Sequence, residues 1–291
     1  MRWEGNRQSD NVEDRRAGGG GGGRMFGTRG IGIGTIVIAL IGGWIFGINP
    51  LTIIGILSGG GGSPAVVQQA PGQAPPANDK GAAFVATVLA STEDVWNQDF
   101  RSAGAQYREP KLALFRGATR TACGMGQSAM GPFYCPADQK VYLDMNFFDT
   151  LDRQLGAPGE FARAYVIAHE VGHHVQTLTG TTGKVDSMRG RISEREQNSL
   201  SVRMELQADC YAGIWTARSQ QARNWLEQGD IESAMNAAAK IGDDALQKRS
   251  QGYVVPDSFT HGSSAQRQRW FAQGFKTGSI QACDTFAAQS L

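Results

Sequence analysis

The chain has 291 residues, 41% of them hydrophobic and 19% charged, which is enough for one well-packed domain with appendages and excludes disorder along its whole length. Its formal net charge is +1 and it has no long basic run, so nothing in it calls for a nucleic-acid partner. Glycine is abundant at 39 residues, but much of it precedes residue 63 and marks linkers rather than the fold.

Residues 1–29 mix Arg2, Arg7, Arg15, Arg16, Arg24 and Arg29 with Glu4, Asp10, Glu13 and Asp14, and contain the run Gly18 to Gly23. That composition predicts a tail with no core of its own. From Gly30 to Asn78 there is no charged residue, and Ile31 to Ile48 is mostly apolar. Residues 30–57 are long enough for a helix that spans a bilayer. A cleaved signal peptide is the first competing reading, but the preceding region is long and includes four acids, and no clear A-x-A site follows. A buried soluble helix is the second, and isoleucine on every face of the segment speaks against it. Arg24 and Arg29 precede the span and no Lys or Arg follows before Lys80, so the positive-inside rule predicts a cytoplasmic N-terminus and a main domain outside the cytoplasm. Residues 58–81 form a Gly/Pro-rich linker, and residues 82–291 a globular unit.

Cys123, Cys135, Cys210 and Cys283 all fall in that unit, an even count that suggests two disulfides in an oxidising compartment. Of three connectivities, Cys123 with Cys135 and Cys210 with Cys283 are favoured; the first closes a short loop and the second ties the C-terminal segment to a central helix. Thiolate ligation of zinc competes, but no C-x-x-C spacing is present.

Helical spacing is expected over Ala82 to Gln98 and short strands over Leu112 to Phe115 and Lys140 to Asp144. A short helix capped by Asn146 is expected to run to Leu155, and a longer one over Phe161 to Leu178. Gly180 to Arg191 reads as a loop, and Asn198 to Arg218 as a strong helix. Two further helices are expected, from Asn224 to Glu227 onward and over Ser264 to Gly274.

The Phe161 to Leu178 helix carries His169-Glu170-Val171-Gly172-His173, an H-E-x-x-H motif. Two histidines four apart lie on one helix face and can share a zinc ion, with Glu170 beside them as a general base. A catalytic zinc usually has three protein ligands. Gln176 and Thr179 stand where the extended motif needs Gly and His, so a third ligand must come from elsewhere. Glu205 is that candidate and Asp209, one turn on, is placed to hold a ligand histidine through its other ring nitrogen. The competing reading is a solvated acidic face paired with Arg203 or Arg218, and Glu194 and Glu196 are the alternative ligands. His174 points away from its ligand neighbour, toward a structural or surface role. His261, on a loop, could return to the site and stabilise an oxyanion, or be a satisfied loop histidine.

The segments Met1 to Arg16, Gly131-Pro-Phe-Tyr-Cys-Pro136, Val141-Tyr-Leu-Asp144, His169 to His174, Glu205 to Asp209 and Thr260-His-Gly262 resemble the membrane-anchored neutral zinc metallopeptidases of bacteria, across nearly the whole chain. The resemblance implies an α+β, predominantly helical zincin-like domain with a small sheet after one transmembrane helix, an inner-membrane location and a His-His-Glu zinc site. The expected activity is peptide-bond hydrolysis in the cell envelope, with a protein or peptide substrate bound as a strand added to Lys140 to Asp144 if that strand is an exposed edge. The rival is a zinc-stabilised envelope binding or assembly factor that does not cleave.

Overall fold

The computed structural model describes residues 1–16 and 72–291. Its sheet is small and its helices many. Strand β1 (Val12–Asp14) pairs in parallel with β2 (Lys111–Phe115), β2 in parallel with β6 (Lys140–Asp144), and β6 antiparallel with β5 (Phe133–Cys135), giving the order β1-β2-β6-β5. Strands β3 (Ala118–Thr121) and β4 (Gly124–Gln127) form a separate hairpin, which the Cys123–Cys135 disulfide ties to β5. The two-residue period of a strand sends Leu112, Leu114, Val141 and Leu143 into the main core. Ala113, Phe115 and Tyr142 join Cys135 in a second cluster, so both faces are covered.

Helix α1 (Lys80–Ser102) starts where the Asp79 side chain accepts from the Ala82 amide, and it buries Phe84, Val85, Val88, Leu89, Val95 and Trp96. Helix α3 (Glu160–Leu178) follows the short α2 (Asn146–Asp149), and α4 (Thr181–Met188) leads to the long α5 (Glu194–Arg223). Then come α6 (Asp230–Lys240), α7 (Asp243–Gln251) and α8 (Ser264–Thr277). Helices α5 and α8 meet backbone to backbone: a Cβ on Gly274 would fall 1.9 Å from the Cys210 carbonyl oxygen, and one on Gly213 2.1 Å from that of Phe271. The Cys210–Cys283 disulfide fastens the segment after α8 to the same stretch of α5. Both favoured cysteine pairings are formed.

Several expectations need correction. Residues 1–16 are not a tail without a core. Val12 is 5% exposed against β2, the Ser9 hydroxyl bonds the buried Glu93 carboxylate, Arg2 donates to the Asn224 carbonyl and Trp3 Nε1 to Glu160. Their charges are spent on partners: Glu13 reaches Lys140 at 2.8 Å and Arg16 reaches Asp79 at 2.7 Å. Strand β6 is interior and not an edge. The edges are β1 and β5.

Asn146 does not cap α2 with its side chain; its own amide donates to Asp144, and the helix loosens into a wider turn over Thr150–Gln154. The stretch read as a loop holds α4, begun after a left-handed Gly180. Asn224 ends α5 in the left-handed conformation, so the next helices start later. Among the described residues no helix is long and apolar enough to cross a membrane, and the expected span at residues 30–57 lies outside them.

Candidate metal centre and active site

Helices α3 and α5 build the site together, and a glycine inside the motif lets them come close. A Cβ on Gly172 would lie 3.0 Å from the Ala208 carbonyl oxygen, so at this position α3 rests on the backbone of α5. Glu205 and Asp209 flank that contact, one turn apart. They meet the motif histidines across it.

His169, His173 and Glu205 each turn one ligand atom into a common space, all within 4.8 Å of one another. His169 Nε2 is 3.1 Å from Glu205 Oε2, and His173 Nε2 is 3.4 Å from Glu205 Oε1. Ligand atoms about 2.0–2.2 Å from a tetrahedral zinc are roughly 3.3–3.6 Å apart, so these spacings fit a shared ion after small side-chain adjustment. Two imidazoles and one carboxylate are also a donor set that catalytic zinc uses.

The other ring nitrogens are held as well. His169 Nδ1 lies 2.8 Å from Asp209 Oδ1 and His173 Nδ1 2.9 Å from Gln176 Oε1. A proton on each Nδ1 satisfies these acceptors and leaves both Nε2 lone pairs for a cation. Asp209 also accepts from the Tyr165 hydroxyl at 2.5 Å and from Arg267 Nε at 2.8 Å and Nη2 at 3.0 Å. Gln176 is fixed in turn, donating to the Met204 carbonyl and to Gln207, which donates to the Cys283 carbonyl.

The buried carboxylates favour positive charge at this site. Burial disfavours a charged His169, yet Asp209 and Glu205 outweigh it and push the imidazole up to about 10. Burial also opposes ionisation of Glu205, but His173 and His169 hold its carboxyl well below the usual range. Glu170, 7% exposed and outside the ligand set, is different: burial raises its pKa, and the nearby histidines offset this only in part. Such a carboxyl is suited to taking up a proton and giving it back.

Asp243, in the first turn of α7, accepts from the amides of Thr260, His261 and Gly262 at 2.8, 2.6 and 2.9 Å, and its other oxygen lies 3.1 Å from His261 Nδ1. The loop is thereby clamped with His261 near enough to feel the charge of Glu205. Burial works against a charged His261, and Asp243 and Glu205 overcome it, so the pKa is raised.

His174 is fully buried, bonded to the Tyr134 hydroxyl and the Arg108 carbonyl, and burial pushes it down to about 4. Its role is structural. The alternative ligands are set apart: Glu196 closes a capping box with Ser193 at the start of α5, and Glu194 is exposed beside it. Glu205 lies about three turns further along that helix.

Tyr165, Gln176, Gln207, Asp243 and Arg267 escaped the reading of the sequence. Arg267 had a signal available. It shares the inward face of α8 with Trp270, Phe271 and Gly274, and a charge at such a position needs a buried partner.

The profile of the family described as "Putative neutral zinc metallopeptidase" matches residues 1–286. The chain is 50% identical over 292 residues to "Uncharacterized protein YpfJ" of Escherichia coli strain K12, covering 98% of this chain and 99% of the relative. It is 43% identical over 195 residues to "Uncharacterized protein Rv2575" of Mycobacterium tuberculosis strain H37Rv, covering 64% of this chain and 65% of that one. No solved structure matches. With a profile match that takes in the N-terminal strand, the motif helix and the helix bearing Glu205, the chain belongs to this zinc metallopeptidase family; its cofactor is zinc, and His169, His173 and Glu205 are the group that can hold it.

Proposed function

We propose that the protein is a zinc-dependent endopeptidase that hydrolyses peptide bonds in the cell envelope. The observation that carries this reading is Glu170. A carboxyl buried beside three ligands without being one of them is costly to keep unless its proton is used.

His169, His173 and Glu205 would hold the zinc ion, which would supply a Lewis acid and bring the pKa of water at the site to about 7. Glu170 takes the proton of the attacking water and passes it to the leaving amine. His261, whose pKa is raised by Asp243 and Glu205 against the effect of burial, donates to the oxyanion of the substrate carbonyl. Asp209 keeps the His169 ring in register, with Tyr165 and Arg267 fixing Asp209 from behind. Gln176 does the same for His173.

In this reading the substrate lies along β5, an edge strand of the sheet. Tyr134 of β5 bonds His174, the residue after ligand His173, so this strand is anchored to the motif helix. An extended peptide can add to such an edge through main-chain hydrogen bonds, which tolerate many sequences.

The test is peptide hydrolysis by the purified, zinc-loaded protein. Cleavage of a peptide library should be lost on adding a chelator and restored by zinc. A protein that binds one zinc per chain yet cleaves nothing under either condition contradicts the enzyme reading and favours a non-cleaving, zinc-stabilised envelope factor.

A further inference from the structure

An edge strand that holds a peptide through its backbone does not read side chains; a pocket has to do that. The structure has one beside the helix face that bears Glu205. A cavity of about 40 Å³ lies between helix α4, the first turns of α5 and the loop that carries His261. Val185, Ile192 and Leu200 give it apolar walls, and Asn198, Ser201 and Thr260 add neutral polar groups. Arg189 and Glu194, of opposite sign and both exposed, stand at its margin, and Arg189 is already paired with Asp186 at 3.0 Å.

Its place relative to the metal group follows from α5. Asn198, Ser201 and Glu205 recur at helical spacing on one face, with Ser201 about 6 Å and Asn198 about 10 Å from Glu205 along the axis. At the other wall, Thr260 is the residue before His261, and the Asp243 carboxylate holds both amides, at 2.8 and 2.6 Å. The cavity is therefore bounded by the helix face that bears Glu205 and by the loop that bears the proposed oxyanion donor. Its walls are fixed before any peptide arrives. A capping box of Ser193 and Glu196 starts α5, and Asn198 donates to the Asp257 carbonyl at 3.0 Å, which ties α5 to the turn at Pro256–Ser258. That bond leaves the Asn198 side-chain oxygen as an acceptor.

We propose that this cavity is the side-chain pocket that sets cleavage specificity, and that it takes one small, uncharged substrate residue: alanine, serine, threonine or valine. The assignment rests on the peptidase reading. A water needs roughly 10–15 Å³ of such volume, so about 40 Å³ holds about three waters, which matches the non-hydrogen atoms of a valine or threonine side chain. A phenyl ring has no room. A charged side chain would give up water with no opposite charge inside to replace it. Side chains on one face of an extended peptide are about 6–7 Å apart, so a peptide with its scissile carbonyl at the metal reaches the cavity within about two residues of the cut.

The test is a peptide library varied around the cut and incubated with zinc-loaded wild-type, Ser201→Leu and Ile192→Ala proteins. Cut sites are mapped by mass spectrometry and zinc content is measured on each protein. Wild type should favour alanine, serine, threonine or valine over phenylalanine, tyrosine, lysine or glutamate by about 10-fold or more, at one position within about two residues of the cut. Ser201→Leu fills the cavity and should turn that preference toward glycine. Ile192→Ala widens it from the loop before α5 and should admit leucine and phenylalanine. Each variant should keep one zinc per chain, which shows that the metal helices are intact. Uniform cleavage by wild type, a preference for aromatic or charged residues near the cut, or a profile unmoved in a variant that keeps its zinc overturns the pocket and leaves the peptidase reading standing. No cleavage of any peptide by the zinc-loaded wild type overturns the peptidase reading, and the pocket with it.

Discussion

The two helices that hold the metal group and the strand at the N-terminus are both built into the body, but by different physics. In the α3–α5 pair, two residues of the group that can hold the metal and the proposed general base sit within five residues, and helix geometry alone sets the two histidines on one face. At the N-terminus a sixteen-residue segment, with a three-residue strand whose one apolar side chain is Val12, is held by residues about 80 to 220 positions away: Arg2 by Asn224, Ser9 by Glu93 and Glu13 by Lys140. The first region shows its chemistry locally. The second shows nothing until its partners are known.

That contrast can be broken or sharpened by substitutions in each region. Glu205→Ala removes a ligand and should bring the zinc-to-protein ratio from one to near zero, read by metal analysis of the purified protein, while the fold persists; an unchanged ratio would remove Glu205 from the site. Arg267→Met leaves Asp209 buried without its cation and should cost about 3–5 kcal/mol of stability in denaturant titration. It should also weaken zinc binding roughly 10–100-fold by loosening His169. Val12→Ala trims the buried contact with β2 and should cost about 1–3 kcal/mol without altering the zinc ratio, which separates the two regions.

The smallest effect is expected from pH. Burial raises the pKa of Glu13, but Lys140 and Arg15 outweigh it and bring the carboxyl down to about 2 from an ordinary 4.5. A depressed carboxyl stabilises the fold fully above its unfolded pKa and loses that contribution as pH falls through the folded value. Hydrogen exchange at Val12 to Asp14 should therefore speed up between about pH 4.5 and 2, and Glu13→Gln should flatten that dependence.

How much was legible in the sequence follows the same division. The motif, Glu205 and Asp209 could be read because each is fixed by helical spacing, as could the two cysteine pairs and most of the helices. Gln176 and Arg267 could not, since their roles come from contacts between helices. Gly172 is a similar case: inside the motif it looks incidental, and only the Ala208 backbone against it explains its missing side chain. Helix α4 was hidden by polar residues that read as a loop, and the interior place of β6 depends on β5 pairing back onto it. The N-terminal charges looked like a solvated tail because the sequence does not display partners a hundred residues distant.

The central claim is that His169, His173 and Glu205 hold zinc while Glu170 does the proton transfer. It is tested most directly by comparing wild-type and Glu170→Gln proteins for zinc content and peptide hydrolysis, side by side. The account predicts one zinc per chain in both and a fall in hydrolysis of about 10²–10⁴-fold in the variant. Equal hydrolysis by the two proteins would contradict it.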